Sequence, residues 1–253
     1  HKKSKISYYH KGKGRAIIFL HGFMEDKSIW ESFIEYYSPK YRVIAIDLLG
    51  HGKSGNTGYV HTMQDMAEIV KSVMNKHRLR RVVLVGHSMG GYVSLAFGEK
   101  YPDNVIGCCL FHSTAFADSE QKKKDRDRAI KVVQKNHKIF VNETIPNLFF
   151  KKDKKLISAI KKIAAKTSVQ STIAALEGMK RRMDRSVLLK FSPFPYHFII
   201  GKEDAIIPEK TLLEQTTYGK NITYDVIENC GHMGFIEQKN ETLESLDRFL
   251  KKL

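Results

Sequence analysis

Two periodicities alternate along the chain, and together they predict a mostly parallel β-sheet flanked by helices. Short apolar runs rich in β-branched residues are typical of buried strands, whereas apolar residues three or four positions apart are typical of helices. The predicted strands are Ala16–Leu20, Arg42–Ile46, 82–85, Val105–Phe111, 194–200 and Ile222–Ile227. The predicted helices between and after them are Met63–Lys76, 90–100 and 241–252. Such alternation requires crossover connections, which place neighbouring strands parallel and indicate an α/β fold.

Residues 116–190 interrupt this alternation. Three helical stretches follow one another there with no strand between them: 119–137, 154–166 and 168–180. We interpret the segment as a helical lid inserted into one α/β core, which residues 1–115 and 191–253 form. The lid is expected to lie above the carboxyl ends of the strands.

The third predicted strand leads directly into a helix through the sequence Gly86-His87-Ser88-Met89-Gly90. A Gly-x-Ser-x-Gly turn forces its serine into a strained backbone conformation and exposes the hydroxyl at the amino end of a helix. Glycine is needed at both flanking positions because a side chain there would clash with the adjoining strand and helix. By itself the motif also fits an unreactive serine at an ordinary turn, so its chemistry depends on a base and an acid elsewhere.

Candidates for the base and the acid follow the last two predicted strands. On turns of this type the serine is followed in the chain first by an aspartate or glutamate and then by a histidine. Asp204 follows the fifth predicted strand and His232 follows the sixth. Parallel strands end at one edge of their sheet, so both side chains are expected near Ser88. The position after the fourth strand offers only His112 and Ser113, which makes Asp204 the predicted acid.

With these residues the chain resembles the α/β-hydrolase superfamily. The sequence His-Gly-Phe at 21–23 resembles the family's oxyanion loop, and 47–54 resembles its D-x-x-G-x-G-x-S turn. Segments 173–184 and 201–208 are similar to the lid exit and acid loop of the carboxylesterase, enol-lactonase and cofactor-free haloperoxidase branch. Leu49 departs from the pattern, since many relatives carry a charged residue or proline there. The resemblance implies an α/β-hydrolase fold, with a mostly parallel central sheet, flanking helices and an inserted helical lid.

The predicted chemistry is transfer of an acyl group to Ser88. His232 accepts the hydroxyl proton as the serine oxygen attacks a carbonyl carbon, and Asp204 holds His232 in the required tautomer. The backbone N–H groups of Phe23 and Met89 are the predicted oxyanion donors. These five residues form the candidate catalytic site.

Two further histidines and several large apolar residues receive supporting roles. We interpret His21 and His87 as hydrogen-bonding scaffolds, because the chain order gives the role of base to His232. The predicted substrate pocket comprises Met24, Phe116, Phe149 and Met233. Ordinary core packing is the alternative for each of these pocket residues. A mostly apolar pocket favours short to medium aliphatic or aromatic esters.

A serine nucleophile implies an acyl-enzyme, and therefore an ester, a lactone, a thioester or an activated C–C bond beside a carbonyl. Relatives with aspartate at this turn, the haloalkane dehalogenases and epoxide hydrolases, are thereby excluded. Three functions stay open: a carboxylesterase-like serine hydrolase, a C–C bond hydrolase or acyltransferase, and a receptor-like protein that retains the pocket for ligand binding. The sequence contains no metal-ligand spacing and no glycine-rich nucleotide loop, so neither a metal nor a cofactor is expected.

Composition bounds the size and location of the protein. Its 253 residues, 42% of them hydrophobic, suffice for one large domain with a buried core. No apolar run approaches the roughly 20 residues that a membrane helix needs, and the polar segment 1–7 contains no signal region. Cys108, Cys109 and Cys230 are expected to be unpaired, which favours a reducing compartment and hence the cytoplasm.

Positive charge is concentrated in the predicted lid. The chain holds 43 Lys and Arg against 27 Asp and Glu, a formal net charge of +16. Residues 117–190 hold 20 basic and 8 acidic residues, and so contribute +12. In addition to a small-molecule acyl substrate, this charge favours an anionic acyl carrier or an anionic surface as a partner. The alternative explanation is that the lysines simply form the solvated faces of amphipathic helices. Nucleic acid is not expected, because no binding motif accompanies the lysines.

Overall fold

The computed structural model describes residues 5–253, through which one seven-stranded sheet runs. Its strands are β1 (Tyr8–Lys11), β2 (Ala16–Leu20), β3 (Arg42–Ile46), β4 (Val82–His87), β5 (Val105–Phe111), β6 (Tyr196–Gly201) and β7 (Ile222–Ile227). They lie in the order β1-β3-β2-β4-β5-β6-β7, and every pair is parallel except β1 with β3. The mostly parallel sheet is therefore confirmed. Strands β2, β4 and β6 are buried at every position, as strands covered on both faces must be.

The described residues form ten α-helices. They are α1 (Glu31–Tyr37), α2 (Met63–Lys76), α3 (Met89–Lys100), α4 (Glu120–Thr144), α5 (Lys154–Ala164), α6 (Val169–Lys180), α7 (Ser186–Phe191), α8 (Glu209–Thr216), α9 (Gly234–Glu237) and α10 (Lys239–Lys251). Helix α3 is buried along ten of its twelve residues because it contacts β4, β5 and α2. Helix α2 instead buries one apolar side, as an amphipathic helix at the surface of a core does.

Helices α4 to α6 and most of α7 lie between β5 and β6. We call this segment, residues 116–190, the helical insertion. Helices α4, α5 and α6 begin where side-chain oxygens of Ser119, Asp153 and Ser168 accept N–H bonds from their first turns. These caps explain why the three helical stretches of the sequence start where they do.

Helix α4 is divided at Asn136, whose backbone leaves the helical region (φ −159°, ψ 93°). The Asn136 side chain then accepts the N–H of Ile139, so the second half of α4 begins with a cap of its own. The sequence predicted a helix ending at residue 137, which is close to this break, and did not predict the second half.

Strand β1 was not predicted from the sequence. It joins the exposed edge of β3 in antiparallel register, with Tyr8 opposite Ile46 and Lys11 opposite Val43. Three of its four residues are exposed, so it lacks the apolar pattern of the buried strands. Across the described chain, none of the helices has the length and apolar character needed to cross a bilayer. Of the polar segment 1–7, residues 1–4 lie outside the described residues.

Candidate active site

Ser88 stands between the end of β4 and the start of α3, in a strained conformation with φ 48° and ψ −114°. A Cβ atom on Gly86 would lie 2.4 Å from the carbonyl carbon of Gly90. One on Gly90 would lie 2.3 Å from the carbonyl oxygen of Leu20. Both glycines are therefore required for the strand, turn and helix to pack this closely. The Ser113 hydroxyl donates to the Ser88 carbonyl at 2.7 Å and supports the turn.

Asp204 and His232 meet at the same edge of the sheet, in the loops that follow β6 and β7. His232 Nδ1 donates to Asp204 Oδ2 at 2.7 Å, and the N–H groups of Ile206 and Ile207 donate to Asp204 Oδ1. Burial by itself would raise the pKa of Asp204, but the charge and hydrogen bond of His232 outweigh it and lower the pKa to about 2. Asp204 is therefore a carboxylate at neutral pH.

His112, the other titratable group near Asp204, takes no part in this pairing. Its Nδ1 accepts the N–H of Gly201 at 3.0 Å, so that nitrogen carries no proton. Burial lowers the pKa of His112 to about 3, which leaves the ring neutral. The 3.8 Å approach of His112 Nδ1 to Asp204 is consequently a contact between a neutral ring and a carboxylate. His232 alone donates to Asp204 from a ring nitrogen.

The two predicted oxyanion donors are unengaged. Within residues 5–253, the N–H groups of Phe23 and Met89 donate no hydrogen bond. Met89 is the first residue of α3, where the positive end of the helix dipole favours a negative charge. Phe23 follows Gly22 in the loop after β2. Both N–H groups remain available to a ligand oxygen.

A buried ion pair joins this loop to the rest of the site. Glu25 Oε2 accepts the N–H of Gly22 at 2.6 Å and faces His87 Nδ1 at 2.9 Å, while His87 Nε2 faces the His232 carbonyl at 2.9 Å. Both ring nitrogens of His87 meet acceptors, so both carry protons. Burial lowers the pKa of His87, but the Glu25 carboxylate raises it by more. The pair ties the loop of Phe23 to the loop of His232.

His21 also has both ring nitrogens occupied. Its Nδ1 donates to the Gly22 carbonyl at 2.7 Å, and its Nε2 accepts the N–H of Leu48 at 2.9 Å. Burial lowers the pKa of His21 and keeps it neutral. Neither His21 nor His87 has a free nitrogen with which to accept a proton. Elsewhere in the described chain, no three His, Cys, Asp or Glu side chains lie close enough to hold a metal ion.

A cavity of ≈ 700 Å³ lies between this edge of the sheet and the helical insertion. Ser88, His232 and Phe23 line it. Most of the other lining side chains are apolar, among them Ala129, Phe140, Ile145, Leu148, Leu176, Met179 and Ile207. A cavity of this size and character fits a small organic substrate.

The predicted pocket residues divide into two groups. Met24 and Phe116 line the cavity together with Ser88. Phe149 and Met233 do not line it and are buried in the hydrophobic core, 2% and 0% exposed. Their apolar character fits either location, so the sequence did not separate pocket from core.

Sequence reasoning did not predict which charged residues line the cavity. These are Glu25 from the loop after β2 and Asp118, Lys122, Asp125, Arg126 and Arg182 from the helical insertion. The available signals were a glutamate three residues after Gly22, and the i,i+4 spacing of Lys122 and Arg126 on one side of a predicted helix. Both signals are common on solvated surfaces, so neither distinguishes a cavity wall from a solvated helix face.

Known proteins share this fold. Residues 15–239 fit a family model described as alpha/beta hydrolase fold. The structure of a thermophilic esterase from Thermogutta terrifontis is similar with a TM-score of 0.92 and 30% identity, over 98% of this chain and 93% of that one. The enol-lactonase from Burkholderia xenovorans LB400 has a TM-score of 0.90 over 98% of this chain and 97% of its own, but at 18% identity it shows the fold alone.

A putative non-heme haloperoxidase of Mycobacterium phage D29 is a similar curated protein. It is 30% identical over 105 residues, which are 41% of this chain and 38% of that protein. The matched segment is thus well under half of the relative's length.

Proposed function

The chain belongs to the α/β-hydrolase family, and on that basis we propose that it is a serine hydrolase acting on carboxylic esters, lactones or thioesters. The main support is that Ser88 and His232 line one cavity while Asp204 holds the His232 ring from outside it. Similarity to the Thermogutta terrifontis esterase adds to this support.

In the proposed first step His232 acts as a general base. Its Nδ1–H is committed to Asp204, so the lone pair of Nε2 is free to accept the Ser88 proton. The Ser88 oxygen then forms a bond to the carbonyl carbon, whose π electrons move to the carbonyl oxygen. The N–H groups of Phe23 and Met89 bind that oxyanion.

Collapse of the tetrahedral intermediate breaks the bond to the leaving oxygen or sulfur. His232 Nε2–H gives its proton to the leaving group, and the acyl group stays on Ser88. Water then attacks the acyl carbon, with His232 again removing the proton. The acid leaves and the Ser88 hydroxyl is restored. The mostly apolar cavity wall favours esters with short to medium aliphatic or aromatic groups.

The test of this proposal is turnover of 4-nitrophenyl acetate by the full chain. We expect multiple turnovers from the wild type and loss of nearly all activity in Ser88→Ala. Ser158→Ala, an exposed serine on α5, is the matched control and retains activity. A protein that reacts with a fluorophosphonate at Ser88 but turns over no ester would be a ligand-binding protein instead.

The basic surface of the helical insertion supports a further part of the proposal, contact with an anionic acyl carrier or an anionic surface. Helix α5 buries Ile160 and Ala164 and leaves Lys154, Lys155 and Lys162 exposed, as a solvated amphipathic helix also would. If these lysines attract a carrier, kcat/KM for it falls steeply between about 0.05 and 0.3 M salt. Equal salt responses for the carrier and a neutral ester would reject this contact.

The three cysteines support the proposal that the protein resides in a reducing compartment, such as the cytoplasm. Cys108, Cys109 and Cys230 are all free and buried. Burial raises the pKa of each thiol, so none is activated as a nucleophile.

A further inference from the structure

Charged side chains of the helical insertion line one part of the otherwise apolar cavity. They are the cations Lys122, Arg126 and Arg182 and the anions Asp118 and Asp125. All five belong to the loop before α4, the first turns of α4 or the turn after α6. A charge that already has a partner in the protein contributes little to ligand binding, so the existing partners decide which group is free to bind one.

Both arginines share one carboxylate, that of Asp118, which is itself buried. Arg182 Nη1 donates to Asp118 Oδ1 at 2.6 Å, and Arg126 Nε donates to the other carboxylate oxygen. The Arg182 guanidinium also donates to the Phe116 carbonyl and lies 4.0 Å from the centre of the Tyr92 ring. These contacts hold the arginines against the protein, and the single Asp118 carboxylate leaves the three groups with a net charge of +1.

The neighbours of Lys122 on α4 are paired as well. Asp125 accepts hydrogen bonds from Gln121 and from Arg128 on the outer side of the helix. Lys123 donates to Glu120 at 2.8 Å. The charges on either side of Lys122 in the sequence are therefore already engaged.

Lys122 itself lacks a partner. Its ammonium group makes no hydrogen bond or ion pair with any of the residues 5–253, although the side chain is only partly exposed and lines the cavity. Burial, followed by the positive charge of Arg126, lowers the pKa of Lys122. The carboxylates of Asp118 and Asp125 raise this pKa, but neither forms an ion pair with Lys122, and the loss of hydration outweighs their attraction. A carboxylate in the cavity would supply the missing partner through a charge-assisted hydrogen bond.

We propose that the cavity selects substrates that carry a free carboxylate in addition to the ester group. Lys122 binds this carboxylate while Ser88 attacks the ester carbonyl. The inference rests on the proposed serine hydrolase function and narrows its substrate class. The apolar wall then holds the chain that separates the two functional groups, and Arg126 and Arg182 keep the wall rigid around Lys122. No covalent step beyond the ester hydrolysis is added.

Two matched pairs of esters test this selectivity. Monoethyl adipate against ethyl hexanoate places the carboxylate in the acyl part, and 4-acetoxybutanoate against butyl acetate places it in the alcohol part. The measurement is the ratio of kcat/KM within each pair at constant ionic strength. In at least one pair the wild type favours the anionic ester, and Lys122→Gln lowers that ratio by about 10- to 100-fold, mainly through KM.

Two variants control for charge and for folding. Lys124→Gln removes the same charge from an exposed position two residues away and keeps the wild-type ratio. Lys122→Arg retains a cation and preserves most of the preference. Thermal unfolding midpoints verify that each variant is folded.

The outcomes separate the two proposals. Suppose that the wild type hydrolyses the neutral esters, and that the kcat/KM ratio within each pair is equal in the wild type, Lys122→Gln and Lys124→Gln. This result overturns the carboxylate site and leaves the serine hydrolase function standing. A protein that hydrolyses none of the four esters and resists fluorophosphonate overturns the serine hydrolase function as well. Equal losses in Lys122→Gln and Lys124→Gln would assign the preference to long-range charge and also overturn the site.

Discussion

His232 can serve as a base at Nε2 only while Asp204 keeps the proton on Nδ1. The Nδ1–H to Oδ2 bond of 2.7 Å does this, and the two N–H bonds from Ile206 and Ile207 fix the carboxylate in turn. The proposed nucleophile Ser88 would thus depend on a residue that does not line the cavity. Substitution of Asp204 therefore tests whether Ser88, His232 and Asp204 act together.

Asp204→Asn should lower kcat for 4-nitrophenyl acetate by about 10⁴-fold, because the amide favours the wrong histidine tautomer. Steady-state assays of the purified variant measure this loss of kcat. Glu228→Gln, an exposed carboxylate that pairs with Lys202, serves as the control and retains activity. Near-normal turnover by Asp204→Asn would mean that another acid orients His232.

The buried pair of Glu25 and His87 makes a prediction about stability. Glu25→Gln removes the carboxylate and leaves a buried imidazolium without its counter-ion, which should cost about 3–5 kcal/mol of unfolding free energy. Urea unfolding measures the change, with the exposed Glu35→Gln as the control. Equal midpoints for the two variants would show that the pair does not stabilise the fold.

Sequence patterns identified those candidate residues that belong to a motif or directly follow a predicted strand. Ser88 belongs to a glycine-framed turn, and Asp204 and His232 follow strands that end at the same edge. Glu25 was not identified, and Lys122 was predicted only as part of the basic charge of residues 117–190, because their roles depend on which side chains surround them. Nothing in a local pattern distinguishes an unpaired lysine from a paired one.

Helix α6 carries one of the contacts that hold the helical insertion on the core. Its Ala174 carbonyl accepts the N–H of His61, and Gly178 lies so close to this loop that an added Cβ would be 1.7 Å from the His61 carbonyl oxygen. The loop before α2 can approach α6 only because residue 178 lacks a side chain. This close backbone contact therefore helps to position α6, whose side chains Leu176 and Met179 line the cavity.

Gly178→Ala should destabilise the protein although alanine favours helices by about 1 kcal/mol over glycine. The clash with His61 requires the loop or α6 to move, and overpacking of this kind costs about 1–3 kcal/mol. The unfolding free energy is the measurement, and the exposed α6 variant Gln170→Ala is the control. A gain in stability from Gly178→Ala would mean that the loop yields freely.

Long elements were predicted from the sequence better than short ones. The starts of α4, α5 and α6 carry capping residues and several turns of periodic apolar residues. Helices α1, α7, α8 and α9 have eight residues or fewer and were not predicted, because one or two turns show no clear period. Strand β1 depends on an edge that β3 supplies, which is a property of the folded sheet.

Several buried histidines link the stability of the whole molecule to pH. Burial lowers the pKa of His51 and His112 to about 3 and of His197 to about 4. In the unfolded chain these side chains take up protons near pH 6.5. The unfolded state therefore binds more protons below that pH, and folding stability falls as the pH falls. His87 offsets part of the effect, since its raised pKa lets the folded state bind a proton more tightly.

Each of the three lowered histidines should remove about 1.4 kcal/mol of unfolding free energy per pH unit between its two pKa values. Urea unfolding at pH 7, 6 and 5, at one ionic strength, measures the decline. We expect a loss of several kcal/mol between pH 7 and 5. Unchanged stability across this range would contradict the neutral, buried state of these rings.

The whole molecule places the strained Ser88, the fixed His232 and Phe23 in the wall of one mostly apolar cavity, and Met89 follows Ser88 directly. The most direct test of this arrangement is mass analysis of the enzyme quenched during turnover of 4-nitrophenyl acetate. We predict one acetyl group on the peptide that contains Ser88 in the wild type or in a slowly deacylating variant, and none in Ser88→Ala. An acetyl group on another residue, or hydrolysis by Ser88→Ala at the wild-type rate, would contradict the assignment of Ser88 as the nucleophile.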